Sequence, residues 1–166
     1  RQAWAVALTT PGFVPRFETT MNWTRSLDGF APGGDDLCMD PARDVLTAAS
    51  LLARAGMAPQ QNALAGRLMA AAWSLARLAA SVAPGERLAW GNRMATGLTA
   101  DMTAPVLELE ARLGRIALAW AASSSYPTDR VFAARAELVV VLKGFQSEPL
   151  AQALQQLWAD RVVALP

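Results

Sequence analysis

Three groups of side chains in this 166-residue chain could carry chemistry. Asp35, Asp36 and Asp40 surround Cys38. Ser123, Ser124 and Ser125 precede Tyr126. Six tryptophans, at positions 4, 23, 73, 90, 120 and 158, offer flat faces on which nucleic-acid bases could stack. Each group lacks a partner its chemistry needs. The chain contains no histidine, which removes imidazole acid–base catalysis, cysteine–histidine zinc sites and a histidine-activated thiol at Cys38. The serine run has no visible base or oxyanion site. The aspartates do not follow the ligand spacing of a calcium loop, so they read as a hydrated loop in which Asp40 caps the next helix. Gly33-Gly34 is not followed by Gly-Lys-Ser/Thr, so the chain holds no phosphate-binding loop of that kind. Trp120 and Trp158 lie on apolar stripes and read as core, whereas Trp23 and Trp90 are less constrained. No cofactor and no metal is expected.

Bulk properties narrow the field. Hydrophobic residues make up 53% of the chain and mean hydropathy is +0.20, which suits a chain with a real core and argues against disorder. No apolar run approaches the roughly 20 residues needed to cross a bilayer, so no membrane partner is expected. The net charge is +1, so no overall field draws the chain toward a polyanion. Lys143 is the single lysine among 15 basic residues, and the arginines are scattered. A lone cysteine rules out a disulfide within the chain and makes the reducing cytoplasm the expected compartment. The chain opens inside an apolar segment and closes on another, as a piece cut from a longer polypeptide would.

The elements that must position these residues are mainly helical. Residues 1–8 read as the tail of a helix broken by Thr10-Pro11-Gly12, and 13–18 as a short extended segment whose Pro15 keeps it from a central position in a sheet. Thr19 or Thr20 caps a short helix carrying Trp23 and Leu27. Residues 28–40 form the one long loop. Asp40-Pro41 starts a helix that Gly56 stops. Beyond Pro59, Leu64, Leu68, Ala72, Leu75, Ala79 and Val82 keep helical spacing until Pro84-Gly85. A shorter helix over about 86–98 contains Gly91 and Gly97. Val106, Leu109, Leu113, Ile116 and Trp120 then form a stripe, with Glu108 and Arg112 spaced for an ion pair. A short helix over 129–135 and an amphipathic one through Leu150, Leu154 and Trp158 complete the helical set.

Two apolar runs stand apart. Leu138 to Leu142 is an unbroken aliphatic stretch that reads as a strand buried on both faces, and 161–165 reads as a second. With the helix between them they predict a parallel strand–helix–strand unit. P-loop nucleotide hydrolases place metal-holding acids at the end of such a strand. Here Lys143, Gly144, Phe145 and Gln146 follow it instead.

These residues carry a resemblance. The strand followed by Lys143-Gly144-Phe145-Gln146-Ser147 resembles the hydrophobic strand plus Asp-Glu-Phe-Gln-Asp of RecB- and AddB-like superfamily I helicases, with the acids lost and Phe145 and Gln146 kept. The segment Val14 to Trp23 stands where these helicases carry a Thr-Phe-His-type motif. Thr20 matches its threonine, and Met21 and Asn22 depart from it. The chain is therefore similar to an internal part of an inactivated superfamily I helicase from a PD-(D/E)XK nuclease-family repair protein. The resemblance implies a noncatalytic segment of a double-strand-break repair helicase–nuclease that helps hold or scan DNA beside a partner subunit. It also implies that Arg16, Thr20, Asn22 and Trp23 would face DNA.

The expected fold is thus mainly α: a helical insertion at 41–135, following a loop at 28–40, flanked by helicase-like core segments at 1–27 and 136–166. Short strands near 13–18, 138–142 and 161–165 would form a partial parallel α/β sheet. The alternative is a helical protein-interaction or scaffolding unit without a nucleic-acid role, supported by the near-zero net charge and scattered arginines.

Overall fold

A computed structural model describes residues 19–27, 29–101, 104–134, 139–142, 148–160 and 162–165. Within them the chain forms α1 (Thr20–Ser26), α2 (Pro41–Arg54), α3 (Gln61–Ala79), α4 (Pro84–Asp101), α5 (Glu108–Ser123), α6 (Asp129–Ala133) and α7 (Pro149–Leu157). Strands β1 (Val139–Leu142) and β2 (Val162–Leu165) flank α7.

The helix boundaries follow from local chemistry. Thr19 is the N-cap of α1, its hydroxyl accepting from the Asn22 amide at 3.1 Å. Asp40 caps α2 through the amides of Ala42 and Arg43, with Pro41 in the first turn, where its missing N–H costs nothing. Gly56 ends α2 at φ +76°, a conformation that favours glycine. Single 3-10 turns at Ala58–Gln60 and Pro105–Leu107 lead into α3 and α5.

Helix α3 is the spine. It packs on α2 and on α5, and α4 packs on α5 as well. Leu64, Leu68, Ala72, Ala76 and Ala79 bury one face of α3 against Ala48 and Leu52 of α2 and against Leu113, Ala117, Trp120 and Ala121 of α5. Leu52 and Leu68 are fully buried, each contributing about 1.5–3 kcal/mol of apolar transfer. Alanines at these contacts let the helices approach closely. Helix α4 extends two or three residues beyond the expected 86–98 at each end, and its Gly91 serves packing: a Cβ there would sit 2.6 Å from the Ala122 Cβ. Arg112, spaced to pair with Glu108, instead donates to the Ala55 carbonyl at the end of α2.

A second, smaller cluster lies apart from this core. Val131 of α6 and Leu150 and Leu154 of α7 are buried, with Trp23, Leu27, Phe132 and Trp158 packed around them.

The expected partial α/β sheet is corrected. The fold is mainly helical, and extended structure among the described residues is confined to β1 and β2, four residues each, which pair only with one another. They run parallel, with Val139 opposite Val162 and Leu142 opposite Leu165. A two-stranded ribbon of this length has no row of neighbouring strands to form a sheet layer, so the helices pack on each other rather than on a sheet. The expected strand at 13–18 and the helix at 1–8 lie outside the described residues, as do the side chains of both strands.

Candidate functional site

The four residues expected to face DNA are not gathered into an open site. Arg16 lies outside the described residues. The Thr20 hydroxyl donates to the Glu148 carboxylate, tying α1 to the start of α7. Asn22 is exposed, with its amide used by the Thr19 cap. Trp23 leans on Trp158, ring centroids 5.6 Å apart and planes tilted by 50°, so one indole face helps close the small cluster. Lys143, Gly144, Phe145 and Gln146 lie outside the described residues.

The acidic loop is structural. Asp35 pairs with Arg54 at 2.9 Å on an exposed surface, and its carbonyl accepts from the Trp120 indole at 2.7 Å. The Asp36 carboxylate accepts from Gly33 N–H at 2.8 Å and from Ser125 N–H at 3.1 Å. Asp40 is the helix cap. No group of acids, cysteines or histidines able to hold a metal occurs among the described residues.

Asp44, one turn into α2, is fully buried. Its carboxylate accepts from the Cys38 thiol at 3.0 Å, the Cys38 and Met39 amides at 3.2 and 2.9 Å, and the Trp73 indole at 2.8 Å. Burial pushes its carboxyl up, but these four donors outweigh it and hold the pKa below the ordinary value. Burial, and then the hydrogen bond to Asp44, raise the Cys38 thiol, so it stays protonated and unreactive at neutral pH.

The serine run is a lock between α5 and the loop. Ser124 donates to the Trp120 carbonyl at 2.8 Å and accepts from Leu37 N–H at 3.0 Å. Tyr126 donates to the Ala121 carbonyl at 2.8 Å, and burial pushes its phenol up to about 12. Beside it sits Arg87, 3% exposed, its guanidinium carbon 4.9 Å from the Tyr126 ring centroid. Arg87 donates to the carbonyls of Ala79, Val82 and Ser124 at 2.9, 3.1 and 3.0 Å and forms a fork on the Asp129 carboxylate. One side chain thus joins the end of α3, the start of α4, the end of α5 and the start of α6. Sequence reasoning missed it, because one arginine among many scattered ones carries no sign of burial.

What remains open is a groove. It encloses about 540 Å³ over α5, with α4 as one wall and Leu51 of α2 as the other. Arg115, Ala119 and Ser123 repeat every four residues along the floor and all three are exposed. Leu88, Asn92 and Ala95 line the α4 wall, with Leu88 62% exposed. Leu88, Gly91 and Ala95 recur at helical spacing on the α4 face that lines the groove, beside the contact of Gly91 with Ala122. No family model, curated protein or solved structure matches this chain.

Proposed function

We propose that this chain works by binding rather than by catalysis, as a helical protein-interaction unit. The observation that carries the reading is the groove between α2 and α4. Covering the exposed part of Leu88, 62% of the residue, would contribute about 1–2 kcal/mol, a useful share of a micromolar association. The polar residues with chemical potential support the same reading. Asp36, Cys38, Asp44, Ser124, Tyr126 and Arg87 are each engaged in holding helices and loops together. The test is a pair of assays on the full chain: ATP hydrolysis with and without DNA, and fluorescence anisotropy with single-stranded DNA across a salt series. We expect neither turnover nor salt-dependent binding. Robust DNA-stimulated hydrolysis would overturn the reading.

A second reading keeps one observation in its favour. The aliphatic run at 139–142 is a strand that pairs in parallel with 162–165 across α7, and Lys143, Gly144, Phe145 and Gln146 follow directly. This arrangement supports a noncatalytic helicase-like segment of a DNA-repair helicase–nuclease, holding DNA beside a partner subunit. Arg16 and exposed Asn22 are the residues to test, since Thr20 and Trp23 also support the fold. Substituting both with alanine should lower affinity and flatten its salt dependence; an unchanged isotherm at every salt concentration would remove them from a DNA site. No described helix is long and apolar enough to cross a membrane. The cytoplasmic location expected from the lone cysteine belongs to the same proposal.

A further inference from the structure

Residues 29–40 lead into α2 without a helix or strand of their own. Leu37, 4% exposed, is the one buried side chain among them, and it sits in the main core. The contacts that fasten the segment to the helices are mainly polar. At its tip, Asp35 pairs with Arg54 and gives its carbonyl to the Trp120 indole, while the Asp36 carboxylate takes the Ser125 amide. The Leu37 amide donates to the Ser124 hydroxyl, and Arg43 donates to the carbonyls of Gly33 and Gly34.

The end next to α2 is held differently. The Cys38 thiol, the Cys38 amide and the Met39 amide converge on the buried Asp44 carboxylate, with the Trp73 indole as the fourth donor. Met39 is kept at φ +61°, a left-handed backbone that a side chain disfavours. Gly29 turns the chain at φ +84° at the far end. Few apolar contacts and many exposed hydrogen bonds mark the parts of a fold that open locally. Opening here takes three donors at once from a buried charge, which is costly, so these contacts release together.

We propose that residues 29–40 form a strap latched by Asp44, which opens as one unit while α2 to α5 stay folded and uncovers the seat of Leu37. Asp44 is the latch, and the bonds of Asp35 and Asp36 are tacks at the tip. Once the strap lifts, the Trp120 indole and the Ser124 hydroxyl lose their strap partners beside that seat. The open form therefore offers an apolar pocket with two polar groups that the closed form lacks. The inference goes beyond the interaction-unit reading and does not depend on it.

Cys38 is the only cysteine of the chain, so its alkylation reports the strap. The full chain is treated with iodoacetamide at a series of urea concentrations, and labelling is followed by mass spectrometry. Circular dichroism follows the helices in the same samples. Cys38 should react about tenfold or more slowly than in the urea-unfolded chain, at a rate that low urea barely changes, because a local opening exposes little surface. Asp36→Ala removes a tack whose carboxylate binds Gly33 and Ser125 rather than the thiol. It should speed labelling about threefold or more without moving the helical transition. Asp44→Asn should speed it further, read at urea concentrations where the helices remain folded.

A native rate equal to that of the unfolded chain would mean that the strap does not cover the thiol. A rate that climbs with urea in step with helix unfolding would mean that no separate opening exists. Indifference to Asp36→Ala would mean that the tip takes no part. Each of these results overturns the inference. If Asp44→Asn does not fold, Asp36→Ala and the urea dependence decide it alone.

Discussion

The block of α2 to α5 and the cluster around α6 and α7 hide apolar surface by different means. In the block, four helices share one core, and two buried polar centres, Asp44 and Arg87, tie its ends to the loops at 37–39 and 124–129. In the smaller region three apolar residues are buried among the described residues, and it is closed by a tryptophan pair, the Thr20–Glu148 contact and the Arg130 bond to the Leu27 carbonyl at 3.2 Å. Stability scales with buried area, so the block should unfold as one unit and the smaller region should open first. The groove lies wholly on the block. A binding surface placed there stays in shape while the other region opens and closes.

The largest effect is expected at the point where the block is most tightly tied. Arg87→Met takes the guanidinium from Asp129 and three carbonyls, leaving Asp129 only the Tyr126 amide, so urea unfolding of the block should lose about 3–5 kcal/mol. A loss below 1 kcal/mol would mean that Arg87 is a bystander. Next come two leucines that separate the regions. Leu68→Ala should cost about 2–5 kcal/mol in the main transition, whereas Leu154→Ala should leave that transition in place and speed amide exchange in α7 alone. If both shift the same transition equally, the two regions fold as one and the contrast fails.

Gly91→Ala sharpens the account of the α4–α5 contact. Its Cβ would crowd Ala122, and a cost of about 1–3 kcal/mol is expected by thermal unfolding. A neutral result would show that the helices can slide apart.

The smallest effect at neutral pH is also the most specific. Tyr126 has its pKa raised from 10.0 to about 12 in the folded chain. Its contribution is therefore fully present below pH 10 and lost as pH rises from 10 toward 12. Asp44 has a lowered value, so its contribution is present above its unfolded value of 3.8 and lost as pH falls through the folded one. Tyr126→Phe should remove part of the alkaline loss and Asp44→Asn part of the acid loss, each read from denaturant midpoints across pH.

Much of the helical frame was legible, because caps and apolar spacing act locally. Thr19, Asp40-Pro41, Gly56 and the stripes of α3 and α5 announced their elements. Helix α4 was legible over 86–98 although glycine lowers helix propensity, but the benefit of Gly91 was not, because it comes from Ala122, some thirty residues away. Asp44 and Arg87 were invisible for the same reason: burial of a charge depends on partners brought together by the fold. The aliphatic run showed its strand tendency at 139–142, but not that among the described residues it would pair with one strand alone. In the acidic loop Asp40 was legible as the cap of α2, yet the contacts of Asp35 and Asp36 to Arg54 and Ser125 span distances no local pattern encodes.

Amide hydrogen exchange on the full chain, alone and with single-stranded DNA, tests the central claim most directly. The account predicts that DNA slows exchange neither in 20–23 nor in the groove segments 88–95 and 115–123. Protection of 20–23 by DNA would contradict it.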